Sequence, residues 1–83
     1  MSFTLAEIKT GVAEIIAEEV GYPASDITEA QTLTGDLDVD SLDRLSIVTQ
    51  AEDQFRVIIP DAEIATFATV GDLVNFIAAQ TEP

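Results

Sequence analysis

The chain has no cysteine, no histidine and no tryptophan among its 83 residues. The absence of cysteine and histidine excludes disulfide scaffolds, zinc fingers, serine–histidine–aspartate triads and cysteine nucleophiles. No apolar run approaches the roughly 20 residues that are needed to span a bilayer. The N-terminus also lacks the basic and apolar regions of a secretory signal. A cytoplasmic protein is therefore the default expectation. Catalysis by paired carboxylates stays formally possible, but a domain this small offers no obvious cleft for it.

Positive charge is scarce, with 3 Lys and Arg residues against 16 Asp and Glu residues and a net charge of −13. This charge repels nucleic acids and anionic membranes, so neither is expected as a partner. Hydrophobic residues nevertheless make up 47% of the chain, which is too many for a disordered acidic tail. The length suits one small domain, and we expect residues 1–83 to form a single monomeric domain.

Three stretches of the sequence show the apolar spacing of one helical face. The first follows a Thr-x-x-Glu capping box at Thr4 and ends at Gly21; its apolar residues are Leu5, Ile8, Val12, Ile15 and Ile16. The second has Asp40 as its expected N-cap; its apolar residues are Leu42, Leu45, Val48, Ala51 and Phe55. The third follows a Thr cap at Thr69, with fraying expected from residue 79 onward; its apolar residues are Val70, Leu73, Val74 and Ile77.

The segments between these stretches show no sustained period. The first, residues 21–39, is long for a compact domain, and we expect its apolar side chains to pin it to the helices. Those side chains are Ile27, Leu33, Leu37 and Val39. Residues 57–59 are interpreted as an extended linker, and one helical turn is expected over residues 61–65. The sequence therefore predicts an all-α fold: a small bundle of three long helices and one short helix, with a long first loop.

Three acidic residues at alternate positions, Asp36, Asp38 and Asp40, precede Ser41. Their spacing is that of the first ligands of an EF-hand loop, but the sixth position is Ser41 and not Gly, and the twelfth is Ile47 and not Glu. We therefore expect no more than weak binding of divalent cations. Ser41 also fails as a hydrolytic nucleophile, because the chain has no histidine to take its proton.

Residues 36–42, Asp-Leu-Asp-Val-Asp-Ser-Leu, resemble the attachment motif of the acyl carrier proteins, which is most often Asp-Leu-Gly-Ala/Val-Asp-Ser-Leu. The likeness covers nearly the whole chain and continues with the spacing of the family. The further matching segments are Glu52-Asp53-Gln54-Phe55, Ile59-Pro60-Asp61 and Thr69-Val70-Gly71-Asp72. Acidity, length and a bundle of three long helices and one short helix are also typical of that family.

The resemblance implies a covalent cofactor. In the family, the Ser at the position of Ser41 carries 4′-phosphopantetheine, which a phosphopantetheinyl transferase takes from coenzyme A. Asp40 and Leu42 flank this attachment site and are expected to take part in binding the cofactor. The thiol of the arm holds acyl chains as thioesters, so the resemblance implies a carrier and not an enzyme.

The resemblance also implies partner enzymes that carry basic docking patches, including an acyltransferase and a ketosynthase. Contacts with an acidic carrier surface are weak and sensitive to salt, which suits rapid exchange. The residues expected to take part in recognition are Asp36, Asp38, Asp43, Arg44, Leu45 and Glu52.

Departures from the family pattern leave the pathway open. Asp38 replaces the commoner Gly, in a form similar to carriers of actinobacterial fatty-acid elongation. Arg44 stands where a neutral or acidic residue is usual, Ser46 where Glu is frequent, and Arg56 where Gly is frequent. The first interpretation is a carrier for a dissociated fatty-acid synthase, and the second is a carrier for a polyketide or other specialised acyl pathway. A third, from another class, is an unmodified regulatory or cation-binding helical module.

Overall fold

The structure is a computed structural model that describes residues 3–81. Within this range the sheet structure is limited to an isolated antiparallel bridge between Thr32 and Thr69. The helical elements are α1 (Leu5–Val20), α2 (Ser41–Phe55), α3 (Asp61–Ile64) and α4 (Val70–Thr81), with a 3₁₀ turn at Ala24–Asp26. The all-α prediction of three long helices, one short helix and a long first loop is confirmed.

The boundaries of α1 follow from its local sequence. The Thr4 hydroxyl accepts a hydrogen bond from the Glu7 backbone N–H at 3.1 Å, and the Glu7 carboxylate accepts one from the Thr4 N–H at 2.8 Å. This is the predicted capping box, which satisfies two donors at the start of the helix. Gly21 ends α1 with a φ of +81°, a left-handed conformation that glycine adopts without steric cost.

The end of α4 differs from the prediction. Fraying was expected from residue 79, but the helix continues to Thr81. Ala78 packs against the core, and the Thr81 hydroxyl donates to the Ala78 carbonyl at 3.3 Å. These contacts hold the last turn in place. Residues 82 and 83 lie outside the described residues.

The core contains the apolar faces of α1 and α4 and the anchors of the first loop. Ile8, Val12, Ile15 and Ile16 of α1 are buried, as are Val70, Leu73, Val74 and Ile77 of α4. The four loop residues expected to pin the first connection are also buried: Ile27, Leu33, Leu37 and Val39. The first connection is therefore packed onto the helices, as the sequence predicted.

Backbone hydrogen bonds tie the first loop to the start of α4. The Leu33 N–H donates to the Ala68 carbonyl at 2.9 Å, and the Val70 N–H donates to the Gln31 carbonyl at 3.1 Å. These bonds flank the bridge between residues 32 and 69. The loop that leads into α2 is thus anchored to a segment much later in the chain.

The N-terminal half of α2 departs from the predicted apolar face. The buried residues of α2 are Ile47, Val48, Ala51 and Phe55, and Ile47 was not part of the prediction. Leu42 is 77% exposed and Leu45 is 52% exposed. Leu37 and Val39, just before the helix, are buried while these two leucines face solvent. The first two turns of α2 therefore present apolar side chains at the surface.

Asp72, in the first turn of α4, uses its carboxylate to bind the backbone just before the helix. Its carboxylate accepts hydrogen bonds from the Ala68 N–H at 2.9 Å and the Thr69 N–H at 3.1 Å. These bonds favour the charged form and lower the pKa of the Asp72 carboxyl from its ordinary value of 3.8. The Thr69 hydroxyl accepts in turn from the Asp72 N–H at 3.1 Å, which confirms the predicted Thr cap.

We expect the stabilisation that Asp72 provides to depend on pH. Because the folded pKa lies below the unfolded value, the contribution is complete above pH 3.8 and is lost as the pH falls through the folded pKa. Asp72→Asn should therefore reduce the free energy of unfolding at pH 7, and this difference should shrink as the pH falls below 3.8. Urea unfolding of both proteins across this range measures the difference. A difference that stays constant with pH would show that the charge of Asp72 is not responsible.

Two residues other than glycine have left-handed backbone in the described part of the chain: Asp38 and Arg56, each with a φ of +55°. Both stand where the resembled family frequently has Gly. Aspartate tolerates this conformation through its short polar side chain, whereas arginine has no such local compensation.

We expect Arg56→Gly to raise the free energy of unfolding by about 1 kcal/mol. A left-handed residue with a side chain costs roughly 1–2 kcal/mol, and the greater freedom of glycine in the unfolded chain offsets part of the gain. Gly21→Ala, at a φ of +81°, is the matched control and should change stability by about 1 kcal/mol in the opposite direction. Urea unfolding measures both. Destabilisation by Arg56→Gly would mean that the cation contributes more at the C-terminus of α2 than the backbone conformation costs.

Candidate functional site

Ser41 is the first residue of α2 and is exposed. Asp40 is the N-cap, as predicted: its carboxylate accepts from the Asp43 N–H at 2.8 Å, and the Asp43 carboxylate accepts from the Asp40 N–H at 3.4 Å. The Arg44 N–H donates to the Asp40 carbonyl at 2.9 Å. The N–H groups of Ser41 and Leu42 lie where a helix has no internal acceptor. The Ser41 hydroxyl is thus next to two backbone donors at the positive end of the helix dipole.

The segment before Ser41 alternates between buried and exposed residues. Leu37 and Val39 are buried, and Asp36, Asp38 and Asp40 are exposed. The alternate spacing of the acids resembled the start of a calcium loop, but Asp36 lies in a turn and Asp38 has a left-handed backbone, so the spacing reflects which side chains this loop buries. Within residues 3–81 no three His, Cys, Asp or Glu side chains are grouped as metal ligands would be.

Asp36 is also part of a local turn. Its carboxylate accepts a hydrogen bond from the Thr32 N–H at 2.8 Å, and the Thr32 hydroxyl accepts from the Asp36 N–H at 2.9 Å. One oxygen of this exposed carboxylate is therefore used to close the turn. Asp36 shapes the loop that leads to Ser41 and still carries its charge at the surface.

A polar seam joins α2 to α1 beside the site. The Ser46 hydroxyl donates to the Glu19 carboxylate at 2.9 Å, and the Gln50 amide donates to the same oxygen at 3.4 Å. Ser46, which departs from the frequent Glu of the family, therefore contacts α1 in this chain.

The pKa of the Asp43 carboxyl is raised above its ordinary value. The hydrogen bond from the Asp40 N–H lowers this pKa, but desolvation and the charges of Asp40 and Glu19 together outweigh that bond.

Arg44 is engaged within the fold. Its Nη1 donates to the Ile64 carbonyl at 3.2 Å and to the Phe67 carbonyl at 2.5 Å, and its Nη2 donates to the Thr34 hydroxyl at 3.2 Å. The side chain is half-buried. The charge predicted to take part in partner recognition is therefore engaged by two backbone carbonyls and a hydroxyl of its own chain.

Glu52, another residue predicted for recognition, is also used internally. Its carboxylate accepts from the Ile59 N–H at 2.8 Å and is half-buried. This bond fixes the extended segment after α2. The structure thus leaves Asp36, Asp38 and Leu45 exposed near Ser41, half-buries Asp43 in the capping box of α2, and uses Arg44 and Glu52 within the fold.

A groove of about 660 Å³ opens beside Ser41. Its apolar lining includes Val39, Leu45, Ile64 and Ala65, and Thr34 and Arg44 contribute polar groups. No cleft was predicted from the residue patterns, because the wall formed by α3 comes from a helix of only four residues. The exposed position of Leu45, next to Ser41 on α2, is explained by this groove.

Three comparisons relate the chain to known proteins. Residues 10–77 match the family model of the phosphopantetheine attachment site. The chain is 49% identical over 78 residues to an acyl carrier protein of Beutenbergia cavernae, covering 94% of this chain and 95% of the relative. It is 46% identical over 77 residues to a meromycolate extension acyl carrier protein of Mycobacterium leprae, covering 93% of this chain and 67% of the relative.

The fold is also similar to that of a solved acyl carrier protein from Enterococcus faecalis. The TM-score is 0.80 at 29% sequence identity, and the match covers 94% of this chain and 99% of the other. Among residues 3–81, the helices are too short or too polar to cross a membrane.

Proposed function

Because the chain belongs to the acyl carrier protein family, we propose that Ser41 is the residue that carries its covalent 4′-phosphopantetheine. The protein is a carrier and not an enzyme: the arm supplies a thiol that holds acyl groups as thioesters. This explains how a chain without cysteine takes part in thiol chemistry. The observation that carries the assignment is the exposed hydroxyl of Ser41 at the first position of α2, inside the matched segment.

The surroundings of Ser41 suit a phosphodiester. The N–H groups of Ser41 and Leu42 and the dipole of α2 favour an anionic group at this end of the helix. Asp40 adds a negative charge, but its carboxylate is turned to the Asp43 N–H. No histidine is available in the chain, so the phosphopantetheinyl transferase must supply the base that activates the hydroxyl.

An intact-mass measurement tests the attachment site. The folded, unmodified protein is incubated with coenzyme A and a broad-specificity phosphopantetheinyl transferase, and the adduct is located by fragmentation. We expect a gain of one phosphopantetheine on Ser41. An adduct on another residue, or none on a folded chain, would contradict the assignment.

We propose that the acyl groups are intermediates of fatty-acid synthesis. The support is the identity to relatives named simply as acyl carrier proteins, at high coverage of both chains. A specialised acyl pathway is the second candidate, because several relatives are named for meromycolate extension. Polyketide synthesis belongs to this candidate through the departures at Arg44 and Ser46 from the family pattern. The third interpretation, an unmodified regulatory or cation-binding module, loses its support with the family match.

The acyl groups found on the protein in its native cells decide between these pathways. Mass spectrometry of the purified carrier identifies each thioester released from the arm. Straight-chain acyl groups with their 3-oxo and 3-hydroxy precursors would support fatty-acid synthesis. Chains with oxygen at many carbons would support polyketide synthesis, and very long unsubstituted chains would support a meromycolate-like pathway.

We propose that partner enzymes dock on the surface around Ser41. The family works with acyl-processing enzymes. Here the exposed acids Asp36 and Asp38 and the half-buried Asp43 come from the same stretch of chain as the exposed leucines Leu42 and Leu45. Acidic side chains attract basic patches on the transferase, an acyltransferase and a ketosynthase. The leucines supply apolar contact area at the centre of the surface.

Neutralising the acids near Ser41 should weaken docking. We expect Asp36→Asn with Asp38→Asn to reduce affinity for a ketosynthase about threefold to tenfold and to flatten its dependence on salt, because exposed charge pairs are weak and screened. Both amides keep an oxygen that can accept a hydrogen bond. Glu14→Gln with Glu18→Gln, two exposed acids of α1, is the matched control. Equal effects of the two double variants would indicate attraction by net charge alone.

We also propose that residues 1–83 act as one domain and as a monomer in the cytoplasm. The net charge of −13 opposes close approach of two copies at low salt. Sedimentation equilibrium at low and high salt measures the mass in solution, and a dimer under both conditions would contradict this proposal.

A further inference from the structure

One side chain connects three segments around the groove. Arg44 extends from α2 to the Thr34 hydroxyl of the first loop, the Ile64 carbonyl at the end of α3 and the Phe67 carbonyl beyond it. Ser41 lies three residues earlier on the same face of α2, and both residues line the groove. Arg44 is therefore next to the attachment site and at the same time holds the opposite wall.

That wall has few contacts of its own. α3 is a single helical turn, and its N-cap, Pro60, provides no side-chain hydrogen bond. Helices of this length are not stable alone. Ile64 is only half-buried, so packing also holds α3 incompletely. Hydrogen bonds from a charged donor are stronger than bonds between neutral groups, and a charged donor such as Arg44 can bind the last carbonyls of a helix.

We propose that Arg44 is a positioning residue that latches α3 against α2 and thereby limits the length of acyl chain that the groove admits. This inference rests on the proposed attachment to Ser41. A short acyl group fits the open groove with the latch closed. A longer chain must part α2 from α3, because the core beneath is filled by buried side chains such as Val48 and Phe67, and this movement breaks the bonds of Arg44.

The first test uses the unmodified protein, so it does not depend on the attachment site. Hydrogen exchange is measured for the amides of Glu63, Ile64 and Thr66, which donate within α3 and the turn after it. Arg44→Met keeps the aliphatic stem and removes the donors, and it should speed exchange at these amides about tenfold through local opening. Arg56→Met is the matched control, since it removes the other arginine at the far end of α2.

The second test compares acyl groups of different length. The phosphopantetheinylated protein is loaded with butanoyl, octanoyl or dodecanoyl groups, and the rate of thioester cleavage by hydroxylamine is measured. Without the latch, the dodecanoyl group should be sheltered better, so Arg44→Met should slow its cleavage about fivefold and change butanoyl cleavage by less than about twofold. Arg44→Lys, which keeps a charge but lacks the planar fork, should lie between the two proteins.

The outcomes separate a latch from a general stabilising role. Faster exchange at all amides, or the same change in cleavage for every chain length, would overturn the proposal. If the protein cannot be loaded with phosphopantetheine, the proposed attachment to Ser41 fails. The hydrogen-exchange measurement on the unmodified protein still decides whether Arg44 latches α3. If loading succeeds and exchange near α3 is unchanged, the latch is wrong and the carrier assignment stands. Arg44→Lys replaces Arg44→Met in both tests if the methionine variant does not fold.

Discussion

Replacing Ser41 with alanine will abolish attachment of 4′-phosphopantetheine and leave the fold nearly unchanged. The cap of α2 is made by Asp40 and Asp43, so the Ser41 hydroxyl is not needed to start the helix. Alanine is a good helix former, and substitution of an exposed residue changes stability by about 0.5 kcal/mol or less. Intact mass after incubation with coenzyme A and the transferase measures the loss, and thermal unfolding followed by circular dichroism measures the fold.

Ser46→Ala provides the matched control on the same helix. Ser46 donates to Glu19, so its loss should cost about 1 kcal/mol of stability and leave attachment intact. The two variants are therefore expected to give opposite patterns, one without the cofactor and stable, the other loaded and less stable. A Ser41→Ala chain that still gained one phosphopantetheine would place the attachment on a different hydroxyl.

Replacing Ile16 with alanine is expected to lower the free energy of unfolding by about 2–5 kcal/mol, since it leaves a cavity among close-packed side chains. Ile16 is 0% exposed and lies on the buried face of α1. A domain of this length has a total stability of about 4–12 kcal/mol, so this single change removes a large part of it. Urea unfolding at neutral pH gives the midpoint and the slope.

Ile58→Ala is the control, because it removes the same atoms from a side chain that is 79% exposed. Its effect should stay within about 0.5 kcal/mol. The difference between the two variants compares a buried isoleucine with an exposed one, since the same atoms are removed from both. Comparable losses would mean that the Ile58 side chain is covered in solution by a contact that the isolated chain does not show.

Local patterns in the sequence predicted most of the fold. The capping residues at Thr4, Asp40 and Thr69 mark helix starts because each side chain bonds a backbone N–H only three residues away. The period of the apolar residues identified the buried faces of α1 and α4 for a similar reason, since each face is defined within a few turns. Such signals need no knowledge of the tertiary structure.

The site was only partly predictable. Periodicity places Leu42 and Leu45 on the apolar side of α2, but it cannot distinguish a side chain in the core from one beside a groove. The bonds of Arg44 to the carbonyls of Ile64 and Phe67 span 20 and 23 positions of the chain. Every residue has a backbone carbonyl, so such acceptors leave no trace in the sequence. The role of Arg44 therefore becomes visible only in three dimensions.

The anchoring of the first loop has a consequence for the order of events during biosynthesis. The loop that leads to Ser41 bonds Ala68 and Val70, and both are translated well after the serine itself. The surroundings of Ser41 are therefore incomplete on a nascent chain that has not yet reached these residues. A transferase that requires this arrangement acts only after translation and folding. A molecule that carries phosphopantetheine would therefore be one that has already reached its native fold.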